Sequence, residues 1–414
     1  VAERPRFLAL FAFFLAAGLL AFAYMSRTIY SRAGERLSAD GGAIATRAVI
    51  EHWMTRGYFA SHGMLSPVPG QNIVYRWSSG AYFVSSFLAE KIWIAVTGKY
   101  SWRLVALHNI VLALVTSALL GVLAFRLARR LGAELLHALA LGVAAQMVQF
   151  TFPDNLALYW ELQSQTWWLL FAICFFIVEE RGGPTFAQAL TVFAMTYIEF
   201  IYTTMFLGAY VATVLLLRDE RPPLRRLAVM LIVPWIAALS IYEIQWRSAK
   251  AEPGVKILAS GFLYRTGLDG DAELYGDHLD IAFGREIVRH YRPAQHQYLF
   301  RWPTLFFAGT AAALLALAAY VRGRAPRLAA VALFALLGAY VLYAAVFSQA
   351  VALHPYLYDG LLATPLIVAL FVLAPALLEE WTHRSGAFVL IACFGTVWLS
   401  MFQLRLYALC YPSI

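Results

Sequence analysis

Residues 7–25 read FLALFAFFLAAGLLAFAYM, an apolar run without a charge. As a helix, such a run crosses roughly 30 Å of hydrocarbon. Its length and the lack of a small-residue cleavage site argue against a secretory signal, so it reads as a retained helix. Within a few turns it is followed by Ser38-Ala39-Asp40-Gly41-Gly42 and an amphipathic stretch. A carboxylate, Asp40, is thereby expected at a membrane surface.

The rest of the chain repeats the first run. Hydrophobic residues make up 61% of the sequence and charged residues 14%, with a mean hydropathy of +0.66, which no ordinary soluble domain has. The apolar blocks have helix-spanning length and lack the short alternation of an outer-membrane barrel. The expected fold is all-α: a polytopic bundle of about eleven transmembrane helices. Spans are predicted at 7–25, 104–125, 133–150, 156–178, 184–199, 202–217, 226–244, 302–321, 327–347, 359–378 and 386–402. Two crossings within 184–217 require short helices with Glu199 near their junction.

Short connections carrying Arg126, Arg129 and Arg130, then Arg218, Arg221, Arg225 and Arg226, then Arg322, Arg324 and Arg327, fall on one side with Arg4 and Arg6. The positive-inside rule makes that side cytoplasmic and turns the long segments 26–103 and 245–301 outward. The chain thus divides into a module at 1–244 that includes the outer loop 26–103, a second outer loop at 245–301 and C-terminal spans at 302–414. The net charge of +8 is spread over turns and loops and does not form a nucleic-acid surface. Cys174, Cys393 and Cys410 have neither disulfide nor zinc spacing.

In the first outer loop, residues 42–56 set Ile44, Ala48, Val49, Trp53 and Met54 on one side of a helix, with Gly57 as its stop. This reads as a helix lying on the membrane. A second such element, about 78–97, contains Tyr82, Phe83, Phe87, Trp93 and Ile94 and is interrupted by Glu90 and Lys91. Its aromatics read individually as interfacial anchors.

Asp40 in that loop, the run Tyr75-Arg76-Trp77-Ser78-Ser79-Gly80-Ala81-Tyr82, and Gly98-Lys99-Tyr100-Ser101-Trp102-Arg103-Leu104 at a helix start together resemble the GT-C glycosyltransferase superfamily. The resemblance is in particular to its branch of protein O-mannosyltransferases and the lipid A aminoarabinose transferase. His354-Pro355-Tyr356-Leu357-Tyr358 before Pro365 is similar to a further family pattern. The chain departs from the common Asp-Glu pair at Gly41, and it lacks the usual Pro-Pro-Leu before the second helix. The resemblance implies two long outer loops with membrane-parallel helices, an essential Asp at position 40 and a polyprenyl-phosphate-linked sugar donor. It also implies a lipid, glycan or protein acceptor and a bacterial inner-membrane location, with the site facing the periplasm or exterior.

Sugar transfer from a lipid phosphate needs a group to take the acceptor's proton and cations for the departing phosphate. Asp40 fits the first role, and also fits a plain helix N-cap. Asp154, in Phe152-Pro153-Asp154-Asn155, is either a second catalytic carboxylate or a turn residue. Lys91, Arg103, Arg289, Arg292 and His354 are candidates for the phosphate, against lipid-facing or structural roles. Tyr75, Arg76, Glu161 and Tyr356 are candidate substrate contacts. Glu161, Glu199 and Glu243 stand at depths where a carboxylate costs up to roughly 2.5–3.5 kcal/mol, although a helix–helix hydrogen bond explains Glu161 and Glu199. The acidic run Asp269-Gly270-Asp271-Ala272-Glu273 has Leu274 where a calcium loop requires Gly. No cofactor is required by the sequence, and a divalent metal is left open.

Two other functions use parts of the same pattern. A polysaccharide polymerase or O-antigen ligase usually has its large loop late in the chain, whereas here the first loop is larger. A lipid-linked sugar flippase or transporter predicts matching halves, which the sequence lacks. The reading that follows is an inverting glycosyltransferase, and it expects Asp40 and Asp154 on one outer face near a cavity roofed by 245–301.

Overall fold

The computed structural model of the protein describes residues 7–33, 41–64, 80–130, 133–149, 160–182, 185–217, 223–249, 259, 262–263, 331, 335–339, 342–343 and 346. Among these residues the regular structure is helical, with no strand. The order is α1 (Phe7–Ala33), α2 (Gly41–Arg56), a 3-10 turn (Ala81–Phe83), α3 (Val84–Thr97), α4 (Trp102–Arg130), α5 (Leu135–Gln149) and α6 (Trp160–Glu180). There follow α7 (Thr185–Ile198), α8 (Phe200–Leu217), α9 (Leu224–Leu227), a π-helical segment (Ala228–Ile232) and α10 (Val233–Ser248). Each of the first seven predicted spans coincides with one of these helices or, for the seventh, with the run from α9 to α10. The span expected at 327–347 is helical where it is described. The spans at 302–321, 359–378 and 386–402 lie outside the described residues.

Leu107–Arg130 and Leu224–Ser248 are long and apolar enough to cross a membrane, and Phe7–Ala23, Leu135–Gln146, Thr185–Ile198 and Phe200–Leu216 are shorter apolar helices. The first span is 72% buried and the second 33%, so α4 is the central helix and α10 a peripheral one. Large aliphatic side chains face outward on several helices, among them Leu20 on α1, Leu136 on α5, Leu216 on α8 and Ile244 on α10.

A close approach of backbones holds α1, α4 and α5 together. Phe14 is fully buried, with its ring in a notch made by Gly121 of α4 and Gly142 of α5. A Cβ added at Gly121 would come within 2.7 Å of the ring, and one at Gly142 within 2.5 Å of the ring and 2.8 Å of the Gly121 carbonyl. Small residues at such a crossing let the helices approach closely enough for dense dispersion contacts. Beside the notch, Gln146 Nε2 donates to the Phe14 carbonyl at 2.6 Å and lies 3.4 Å from Ser117 Oγ.

One end of the bundle is cationic. Arg126 and Arg130 of α4 both pair with Glu180 at the end of α6, at 2.6 and 2.9 Å. The Arg181 guanidinium lies 5.2 Å from the Phe7 ring at the start of α1. Arg129 donates to the Ala133 carbonyl and closes the α4–α5 turn. The start of α1 and the ends of α4 and α6 therefore share this end.

The chain doubles back at Glu199. A straight helix from residue 185 to residue 210 would be roughly 38 Å long, yet Tyr210 donates to Glu179, next to the start of α7, at 3.1 Å. Alongside α6, α8 sets Tyr202 and Phe206 edge-to-face with Trp168, and Phe206 and Tyr210 edge-to-face with Phe175. Trp168 Nε1 donates to Thr203 at 2.9 Å. The two short helices expected in 184–217 are thus present, joined at the residue expected. Farther on, the π segment immediately precedes Val233 and Pro234. Proline lacks an N–H and crowds the carbonyl four residues before it, here that of Met230, and a wider turn relieves both.

Gly142→Val should overpack the Phe14 notch at a cost of about 1–3 kcal/mol and lower the apparent melting temperature of detergent-purified protein. Gly208→Ala on α8, where an added Cβ meets nothing within 4 Å, should leave it unchanged. Fluorescence-detected size exclusion after heating provides the comparison.

Candidate functional site

Opposite the cationic end, the described residues between α1 and α4 form a layer on the bundle. Its centre is Trp53 of α2, which is fully buried. Its Nε1 donates to the Met64 carbonyl at 3.2 Å, and its ring meets Tyr58 and Phe87 edge-on at 4.9 and 5.6 Å. Such edge-to-face pairs add about 0.5–1.5 kcal/mol each beyond burial. Gly57 ends α2 as expected, at φ +89°, with its N–H donating to the Trp53 carbonyl at 2.9 Å. Residues 57–64 then curl back against α7 and α10.

This curl attaches the layer to both helices. Tyr58 is hydrogen-bonded to Tyr197 near the end of α7, and burial raises the Tyr58 pKa while that bond opposes the rise. Gln245 of α10 donates to the Tyr197 hydroxyl at 2.7 Å, and Tyr242 donates to the Tyr197 carbonyl at 3.0 Å. Gly63 has φ +63°, and a Cβ there would come within 2.7 Å of the Tyr58 hydroxyl and 3.0 Å of Gln245 Nε2. Only glycine fits that approach.

α3 turns its polarity inside out. Ser86, Phe87 and Glu90 are buried, while Leu88, Ile92 and Val96 are exposed. The aromatics expected as interfacial anchors divide accordingly. Tyr82, Phe83 and Phe87 are core residues, and Trp93 is 41% exposed. The difference arises because the layer has its own interior between α2, α3, the N-terminal half of α6 and the end of α7, which a helix simply lying on a membrane would lack.

The buried polar face of α3 meets the first turns of α4. Glu90 Oε2 accepts from the Ser101 backbone N–H at 3.2 Å, one residue before α4 begins. Among the described residues its Oε1 has no hydrogen-bond partner. Burial raises the Glu90 pKa, and the Ser101 bond offsets part of the rise. One turn earlier on α3, Ser86 Oγ lies 3.0 Å from His108 Nδ1, which is also 3.1 Å from Asn109 Oδ1. The His108 ring is 6.4 Å from that of Trp167 on α6. The seam therefore runs through three helices.

Of the residues singled out in the sequence, Lys91 is exposed on α3, with Nζ 5.1 Å above the Phe87 ring. Arg103 is the second residue of α4, and Glu161 the second of α6; their side chains lie outside what is described. Asp40, Asp154, Tyr75, Arg76, Arg289, Arg292, His354 and Tyr356 lie outside the described residues. Among the described residues no group of three or more His, Cys, Asp or Glu could hold a metal.

Sequence reasoning passed over Glu90 as an interruption of an apolar run. The available signal was its spacing: Ser86 and Glu90 are one turn apart, beside Phe83 and Phe87, on the aromatic side of the helix. No protein-family model matches the chain, and no characterised protein matches it.

Glu90 sets a pH dependence with a definite sign. A raised carboxyl pKa means that the folded state keeps a proton that the unfolded chain releases. Stability then falls as pH climbs from the ordinary glutamate value to the raised one, and levels off above it. Glu90→Gln should flatten that limb of the melting-temperature profile and leave the variant more heat-resistant than the parent at neutral pH.

Proposed function

We propose that the chain is a membrane-embedded inverting glycosyltransferase of the GT-C type. It would move a sugar from a polyprenyl-phosphate donor to an acceptor at the outer membrane face. The observation that carries this reading is the layer of α2 and α3, inserted between the first two long helices of the bundle and anchored at the end opposite the arginines. A transporter has no evident use for such a layer, whereas an enzyme acting on a lipid-borne sugar needs a surface at the level of the headgroup.

Membrane embedding is supported by the outward aliphatic surface of the bundle and by the stripe of Leu88, Ile92 and Val96 on α3, which water would not favour. With the arginine-rich end in the cytoplasm, the layer and both long segments face the periplasm or exterior. Asp40, just before α2, takes the acceptor's proton. The donor phosphate is held by a basic set drawn from Lys91, Arg103, Arg289, Arg292 and His354, because an anion at a low-dielectric surface needs charge-assisted hydrogen bonds.

Purified protein in liposomes, supplied with polyprenyl-phosphate sugars and an envelope lipid extract, should transfer label from donor to acceptor. Asp40→Asn, nearly isosteric and still able to cap a helix, should keep donor binding and lose roughly 10²–10⁴ in rate. Near-normal turnover by the folded variant would reduce Asp40 to a cap. For orientation, cysteines introduced at Lys99 and Arg129 should react with a membrane-impermeant maleimide in intact cells at 99 but not at 129.

A further inference from the structure

We propose that Glu90 is a positioning residue: by holding the Ser101 amide, it fixes the first turn of α4 and hence the backbone from which Arg103 reaches the donor phosphate. The inference rests on the glycosyltransferase reading for what Arg103 binds, but the latch itself stands on geometry.

Gly98, at φ +70°, caps α3, with its N–H donating to the Ile94 carbonyl at 2.8 Å. The chain reverses there, and α4 begins four residues later. Ser101 opens α4, its carbonyl accepting from the Leu104 N–H at 3.0 Å. Its own N–H is among those that a helix start leaves without an intrahelical acceptor. Glu90 supplies that acceptor from the adjacent helix. Together with the Ser86–His108 contact, it pins α3 antiparallel to α4 at two levels. Arg103 is two residues from one of these pins.

A fully buried carboxyl next to a phosphate site would repel the donor if it were charged. Burial works against the charged form, and holding the Ser101 amide needs only the acceptor oxygen of Glu90. The function requires an acceptor oxygen at that point and no negative charge, which glutamine also provides.

The test compares Glu90→Ala, Glu90→Gln, Arg103→Ala and the double variant Glu90→Ala/Arg103→Ala in detergent, reading binding of undecaprenyl phosphate by native mass spectrometry. Hydrogen exchange of the 101–104 amides is measured in parallel. Glu90→Ala should speed that exchange and weaken lipid-phosphate binding about tenfold. Glu90→Gln should restore both, and the double variant should bind no worse than Arg103→Ala alone. Additive losses in the double variant, or unchanged binding in Glu90→Ala while Arg103→Ala loses it, would overturn the positioning role and leave the glycosyltransferase reading intact. Absence of undecaprenyl phosphate binding by the parent protein would remove that reading and the positioning role together. Unaltered exchange in Glu90→Ala would refute the latch whatever the ligand.

Discussion

A single buried indole organises the half of the molecule that faces away from the arginines. Trp53 bonds the chain eleven residues ahead and is flanked edge-on by aromatics from its own turn and from α3. Without it, α2 and the 57–64 curl would have no common interior, and α3 would have no partner on its aromatic side. The Tyr58–Tyr197–Gln245 contacts then transmit that order to α7 and α10. Both the entry of the chain into α4 and its exit from α10 are thereby referred to the same aromatic centre.

The bundle was legible in the sequence because apolar length is a coarse and redundant signal. Even the short pair α7 and α8 appears with its junction at Glu199, since two helices in that interval have few other places to turn. α2 was equally legible: Ala48, Val49 and Trp53 are buried on the side that the helical period assigns to them, and Gly57 stops the helix. These features are local, and local patterns survive without tertiary context.

The interior of the layer was not legible. Periodicity reports which residues share a helix face, but not whether that face meets lipid or protein. Tyr82, Phe83 and Phe87 have the composition of interfacial anchors and are core residues. Glu90 has the composition of a solvent-facing break and is fully buried. In a chain whose outer surface is itself apolar, the usual equation of polar with outside fails, and α3 reverses it. A carboxylate one turn from a serine, on the aromatic side of a helix, is the pattern that such reversals leave.

The contact between Gln146 and the Phe14 carbonyl joins residues 132 positions apart. Contacts so distant in the chain form late, after the intervening segments exist. During synthesis α1 emerges with its backbone bonds complete and its notch still unmade, because Gly121 and Gly142 belong to helices not yet translated. Its packing partners come only with α4 and α5, after the whole segment between α1 and α4 has been made. A chain cut short before α5 would therefore keep the Gly121 wall of the notch but lack Gly142 and Gln146, leaving Phe14 covered on one side and its carbonyl without the Gln146 donor.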